Sequence, residues 1–193
     1  MSDAEVAALL RSDEQIVVIE APAGCGKTFQ AAAYARDLCS EATFTGKLLV
    51  LTHTHAACSV IFERTQNLQH KVEILTIDGL IFQIATAYRL PLNLPEDIAT
   101  WVRQNSYEEL ARKTSAFLKI YPFITKHIAS LYPFVLCDEH QDANDAQDEI
   151  IQLIGNAGAK LRIFGDPMQI IPGGRGQDAA VAEAQARWEE LKA

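Results

Sequence analysis

Ile16-Val-Val-Ile-Glu-Ala-Pro-Ala-Gly-Cys-Gly-Lys-Thr28 decides the fold of this 193-residue chain. A short β-branched apolar run leads into a loop of small residues ending in Gly-Lys-Thr, and Phe29 onward reads as helix. Strand, small-residue loop and helix in that order make a phosphate-binding P-loop. Gly24 and Gly26 free the backbone to curl, so that successive N–H groups face one anion. Ala21 stands where the motif usually has its first glycine and keeps the tight turn small. The cradle is therefore Ala21, Pro22, Ala23, Gly24, Cys25, Gly26, Lys27 and Thr28. Lys27 is placed to reach the β- and γ-phosphates of ATP, and the Thr28 hydroxyl to ligate Mg²⁺. The positive end of the following helix faces the same phosphates.

Working outward, apolar runs recur at residues 16–19, 48–52, 72–76, 134–137 and 161–164. They are continuous rather than alternating, as in strands covered on both faces. Helical patterns at 29–39, 56–65, 80–88, 145–154 and 178–191 separate or follow them. Strand–helix alternation predicts an α/β fold, a three-layer sandwich around a mostly parallel sheet, with the P-loop on the first strand. Residues 89–131 break the rhythm: Pro91 and Pro95 mark a turn-rich linker, and the remainder reads as helices only. Ser106 with Glu109 is a capping-box signature opening one of these helices. The expected organisation is a core in two parts, 1–88 and 132–193, interrupted by a helical insertion at 89–131.

Nearly half the residues are hydrophobic, ample for a core, and no apolar run approaches the ~20 residues of a membrane span. Met1-Ser-Asp-Ala-Glu5 lacks the basic–apolar layout of a secretion signal. The expectation is a cytoplasmic protein with no membrane partner. The four cysteines, at 25, 39, 58 and 137, form no Cys-x-x-Cys pair, which argues against zinc and a disulfide framework. Cys25 and Cys137 read as small hydrophobes. A net charge of −8 argues against nucleic-acid binding through a global basic field. Arg103, Arg112, Lys113, Lys119 and Lys126 tip the insertion slightly basic and read first as solvated helix faces.

The stretch Phe134-Val-Leu-Cys-Asp-Glu-His-Gln-Asp142 supplies the second half of a site. Its strand delivers Asp138 and Glu139 at the carboxyl end, where ligands bind in open α/β sheets. Asp138 is the candidate partner of the Mg²⁺ that Thr28 also ligates, and Glu139 the candidate general base for the attacking water. A third strand ends in Gly165-Asp-Pro-Met-Gln169, which puts Gln169 within reach of a γ-phosphate.

Taken together, these segments resemble the first RecA-like domain (1A) of the UvrD/Rep-type superfamily 1 DNA helicases. Residues 21–28 match that family's motif I. Leu51-Thr-His-Thr-His-Ala-Ala57 is similar to motif Ia, and Leu75-Thr-Ile-Asp-Gly-Leu80 to a further segment that touches the DNA backbone. Asp138-Glu-His-Gln-Asp142 fits the family's Asp-Glu-x-Gln-Asp form of motif II. Gly165-Asp-Pro-Met-Gln169, with Arg175-Gly176 beyond it, aligns with motif III. The insertion falls where the family places its 1B subdomain.

The resemblance implies an ATP-driven 3′-to-5′ translocase or helicase acting on single-stranded DNA. Catalytic roles fall on Lys27, Glu139 and Gln169, metal binding on Thr28 and Asp138, and DNA contacts on Thr52, His53, Thr54 and Thr76. It also implies a second RecA-like domain, in cis or trans, that brings catalytic arginines, because no segment up to Ala193 resembles motifs IV to VI. The departures are specific. His53 stands where the family has a stacking aromatic, and Pro172 and Gly174 replace the aromatics of motif III. Stacking is worth ~1–3 kcal/mol per base, so the expected grip on a single strand is weak. The adenine-reading glutamine would fall near Ala7, and Gln15 lies too close to the strand. The alternative reading is a stand-alone nucleotide- or DNA-binding module without motor activity.

Overall fold

The computed structural model describes residues 2–22, 24–166, 168 and 178–192. At its centre five parallel strands run in the order β1-β5-β4-β2-β3. They are β1 (Ile16–Glu20), β2 (Leu48–Thr52), β3 (Val72–Thr76), β4 (Phe134–Cys137) and β5 (Lys160–Gly165). Every apolar run named above forms a strand, and the parallel α/β architecture is as expected. Alternate side chains serve opposite faces. Leu49, Leu51, Val135, Cys137, Leu161 and Ile163 enter one core, while Ile19, Leu48, Val50, Leu136 and Phe164 enter the other. A strand apolar on both sides reads as an unbroken apolar run.

The second core is closed by α1 (Asp3–Leu10), α2 (Lys27–Ser40) and α3 (His55–Arg64). The first is closed by α4 (Ile77–Ala87), α6 (Tyr107–Ile120), α7 (Pro122–Leu131), α8 (Asp145–Asn156) and α9 (Asp178–Lys192), with α5 (Ile98–Gln104) against α6. Leu110, Phe117, Leu118 and Ile124 of the 89–131 segment share this core with Ile150 and Ile154 of α8. Ser106 caps α6 by accepting the Glu109 N–H at 3.1 Å. The reciprocal half of the expected capping box is not what holds Glu109, whose carboxylate pairs with Arg112 at 2.7 Å. Three further basic residues of the segment have partners: Lys119 pairs with Glu149 of α8, Arg103 bonds the Thr100 hydroxyl at 2.6 Å, and Lys113 lies over the Trp101 ring.

Two features of the scaffold escaped the sequence pattern. The helix α1 opens on a full capping box between Ser2 and Glu5. Arg162 of β5, fully buried, then fixes the end of that helix to the sheet. Its Nε donates to the Leu10 carbonyl at 2.7 Å, and its two terminal nitrogens donate to Ser12 at 2.8 Å and Glu14 at 3.0 Å. Carbonyls at a helix C-terminus lack intrahelical donors and carry the negative end of the helix dipole. A guanidinium, with five donors in a fixed fork, is matched to them. Burial lowers the Arg162 pKa from its ordinary value, opposed chiefly by Tyr34.

All four cysteines are free. Cys137 is buried as expected, but Cys25 is exposed on its loop, so it is not a core hydrophobe. No helix among the described residues is long and apolar enough to cross a membrane. Replacing Arg162 by Met keeps side-chain length while stripping donors from the buried Leu10 carbonyl and the part-buried carbonyls of Ser12 and Glu14. A buried group left unsatisfied costs ~1–3 kcal/mol, so Arg162→Met lowers the unfolding free energy by about that amount in urea titrations. Arg162→Lys recovers only part, because one ammonium cannot span all three acceptors.

Candidate active site

The crevice forms at the carboxyl edge of the sheet. From β1 the chain leaves into α2 on one face, and from β4 into α8 on the other, with β5 between them. Helices departing to opposite faces open a gap at such an edge, and ligands of α/β sheets bind there.

On the β1 side, Gly24 and Gly26 take φ of +78° and +80°. A Cβ at either would meet no heavy atom within 4 Å, so what the glycines supply is backbone conformation, not close packing. Gly26 immediately precedes α2, whose N-terminus no side chain caps. The N-termini of α1, α3, α4, α5, α6 and α8 each have a Ser, Thr, Asp or Asn side chain accepting a first-turn N–H. The first-turn donors of α2 are thus left for an external acceptor, and a phosphate suits them. Lys27 is 5% exposed. Its Nζ donates to the Ala21 carbonyl at 2.9 Å and lies 3.4 Å from Glu139 Oε1.

On the β4 side, Asp138 is 1% exposed and accepts from the Thr28 hydroxyl through Oδ2 at 3.2 Å. Its Oδ1 is buried with no partner. Burial, then the neighbouring Glu139 charge, raise the Asp138 pKa above its ordinary value of 3.8, while Thr28 and Lys27 pull it down. Glu139 adopts a left-handed backbone, φ +53° and ψ +44°, which costs a non-glycine residue ~1–2 kcal/mol. Successive residues of an extended strand point to opposite faces. The left-handed step instead lets both carboxylates meet the P-loop, Asp138 at Thr28 and Glu139 at Lys27. A 3-10 turn, His140–Asp142, follows. It is pinned to α8 by His140 Nε2, 2.7 Å from Asp148 Oδ1.

The residues present fit ATP·Mg²⁺. An orphaned carboxylate oxygen sits beside a threonine hydroxyl, and an uncapped helix end and a lysine adjoin them. Lys27, Thr28, Asp138 and Glu139 come together as the sequence anticipates. Ala23, Gln169, Pro172, Gly174, Arg175 and Gly176 lie outside the described residues.

The candidate DNA-contacting residues lie at the ends of β2 and β3, which pair Thr52 with Thr76. Thr52 departs from the expectation. It is fully buried, and its hydroxyl is engaged with the Thr54 carbonyl at 3.0 Å and Cys58 Sγ at 3.0 Å. No side-chain surface remains for a strand to touch. Thr54 and Thr76 cap α3 and α4, accepting from Ala57 and Gly79 at 3.1 and 2.9 Å. Half-buried His53 has its pKa pushed down to about 4 by burial and by His140, so it is neutral at pH 7. Gln15 donates its amide to the carbonyls of Gly155 and Ala159, which commits it to the scaffold.

Sequence reasoning missed Gln141. Its Nε2 donates to Glu139 Oε2 at 2.7 Å, and its Oε1 accepts the Asp166 N–H at 3.0 Å. Only the fixed Gln within the Asp-Glu-x-Gln-Asp pattern hinted at it.

A family model described as an AAA domain matches residues 5–175, most of the chain. No curated protein matches it.

Because the folded-state pKa of Asp138 is raised, its ionisation opposes folding at pH values above that pKa. The penalty fades as pH falls through the folded pKa toward 3.8. Asp138→Asn therefore raises the melting temperature of the nucleotide-free protein at pH 7, by ~2–4 °C for each kcal/mol relieved. The gain shrinks on acidification. Scanning calorimetry across pH checks both, and an unchanged or lower melting temperature at pH 7 contradicts the burial argument.

Proposed function

The chain belongs to the AAA domain family, and from that premise we propose that it is the ATP-binding motor half of a UvrD/Rep-type 3′-to-5′ DNA helicase. The family and the parallel sheet give the coarser statement outright: this is a P-loop NTPase domain with a helicase-like ATP-binding core. The observation that carries the finer reading is the double junction across the crevice, Thr28 with Asp138 and Lys27 with Glu139. It supports the reading by joining Thr28 to Asp138 and Lys27 to Glu139, residues of the ordered motifs in which the sequence resembles that helicase family.

In this reading Lys27 exchanges Glu139 and the Ala21 carbonyl for phosphate oxygens, which frees the Glu139 carboxylate. Thr28 Oγ1 and Asp138 hold the Mg²⁺ ion, which when bound neutralises charge on the phosphate oxygens. Glu139 accepts a proton from the attacking water as the new oxygen–phosphorus bond forms. The bond from the γ-phosphorus to the bridging oxygen breaks, giving ADP and inorganic phosphate. Gln169 senses the γ-phosphate. The transition-state charge needs an arginine, worth ~10³–10⁵ in rate in related NTPases, which a second RecA-like domain brings in cis or trans. Thr54, Thr76 and His53 line the face that a single strand crosses.

Three variants separate the roles. Lys27→Ala, which removes charge-assisted bonds worth ~1.5–3 kcal/mol, weakens ATP·Mg²⁺ binding about 10- to 100-fold in calorimetry without unfolding the chain. Equal affinities for variant and wild type reject the assignment. Asp138→Ala loses the Mg²⁺-dependent part of the affinity. Glu139→Gln retains binding and lowers turnover by about 10²–10⁴-fold, the range of general-base catalysis. Wild-type turnover in that variant removes Glu139 as base.

The 193-residue chain by itself hydrolyses ATP slowly and displaces no strand from a partial duplex, because opening and closing of two domains is what moves a strand. Robust unwinding by this chain refutes the half-motor reading.

A further inference from the structure

Gln141 touches both the candidate base and the residue that follows β5. Its amide nitrogen donates to Glu139 Oε2 at 2.7 Å, and its amide oxygen accepts from the Asp166 backbone N–H at 3.0 Å. A carboxylate only accepts and a backbone N–H only donates, so the bridge needs a donor and an acceptor on one short planar group. Both ends of the amide are thereby fixed. The turn that carries it is anchored independently: His140 Nε2 lies 2.7 Å from Asp148 Oδ1, whose Oδ2 accepts from Gln152 at 2.6 Å. Gln141 itself is buried.

Space for the bridge is reserved by Gly165. A Cβ there would stand 2.8 Å from Gln141 Oε1 and 2.2 Å from the ring of Trp188 on α9. The last residue of β5 is therefore small because the amide and the indole close over it. Glu139, with Lys27 3.4 Å from its other oxygen, is held at both carboxylate oxygens. A base in that position must keep a lone pair aimed at water, so whatever sets the carboxylate's orientation sets its competence.

We propose that Gln141 is a positioning residue that couples the orientation of Glu139 to the backbone at the end of β5. The inference rests on Glu139 acting as the base in the reading above. A shift of the Asp166 N–H moves the amide, and the amide moves the carboxylate. The same link runs in reverse, since coupling between two sites is reciprocal.

Two measurements on the intact chain test it, the first without any turnover. Backbone amide exchange at Asp166 is followed in wild type, Glu139→Ala, Gln141→Leu and the double variant, with Ile151 in the core as the folding control. Gln141→Leu speeds Asp166 exchange by about tenfold, the scale of one hydrogen bond. Glu139→Ala speeds it severalfold although Glu139 does not bond Asp166. The double variant exchanges no faster than Gln141→Leu alone. An Asp166 rate unmoved by Glu139→Ala, or effects that multiply in the double variant, overturns the coupling. Should Gln141→Leu fail to fold, as Ile151 would report, Gln141→Glu replaces it. That variant keeps the acceptor for Asp166 and loses the donor to Glu139, so Asp166 stays protected in it and no longer responds to Glu139→Ala.

The second measurement is steady-state ATP turnover. Gln141→Glu lowers kcat about tenfold with KM within a factor of two, as loss of base orientation without loss of binding requires. An unchanged kcat, or a change confined to KM, rejects the positioning role. Wild-type turnover in Glu139→Gln would instead reject the base assignment and leave the exchange result to judge the coupling, so the two failures are told apart.

Discussion

The width of a single strand sets the geometry of the site. Parallel strands lie ~4.8 Å apart, and β5 is interposed between β1, which carries the P-loop, and β4, which carries the acidic pair. The two halves are therefore held about two strand spacings apart at the carboxyl edge. Lys27 and Thr28 reach across that gap to Glu139 and Asp138. The register is locked on both flanks, Ile16 with Leu161 on one side and Phe134 with Lys160 on the other. Ala21 then continues the β1 pairing onto the Gly165 carbonyl at 3.1 Å, so the start of the P-loop is itself held by β5.

That strand concentrates the polar groups a core would otherwise exclude. Arg162 is buried among carbonyls, and Gly165 forgoes a side chain beneath Trp188 and Gln141. Nearby, Asp138 is ionisable and buried with one oxygen unpartnered, and Glu139 has a left-handed backbone. These features differ in kind. The Arg162 guanidinium makes four hydrogen bonds to carbonyls and holds the end of α1 to the sheet. Asp138 is left incompletely satisfied in the protein alone, and a group that costs stability while unbound is one that a ligand can repay. Arg162 thus serves the fold from within β5, toward α1, while the crevice opens at the strand's carboxyl end.

What could be read in advance follows from how far each signal extends along the chain. Parallel strands buried on both faces leave unbroken apolar runs, so residues 48–52, 72–76 and 134–137 were legible to the residue. That Lys27, Thr28, Asp138 and Glu139 meet was legible because each pair stands in a motif directly after a strand end. Helix starts were less so. The helix α4 begins at Ile77, ahead of the expected Leu80, because Thr76 both ends a strand and caps the helix. Thr52 was misread for a related reason: a threonine at a strand end has the same letter whether its hydroxyl faces out or, as here, bonds Thr54 and Cys58. Arg162 and Gln141 act on backbone atoms over a hundred residues away or on a neighbouring strand, and no local pattern encodes a carbonyl as a partner. Gly165 read only as the end of a strand leading to Gln169, whereas its smallness answers to Trp188 on α9.

The same accounting bears on how the proposed motor would hold a nucleic acid strand. Binding to a polyanion draws affinity from cations that release condensed counterions. Here the net charge is −8, and Arg103, Arg112, Lys113 and Lys119 are already engaged with partners of their own. Lys27 is buried beside Glu139 in the crevice, and His53 is neutral at pH 7 with its pKa pushed down to about 4. Thr54 and Thr76, though well placed at the sheet edge, spend their hydroxyl acceptors on helix caps and keep only an O–H to donate. A strand crossing this edge would meet short-range hydrogen bonding and shape more than a positive field. Under the proposed function, then, the nucleotide half of the chemistry is concentrated in this domain. Much of the grip on the strand must come from the second domain, whose position relative to the first is the quantity that ATP would control.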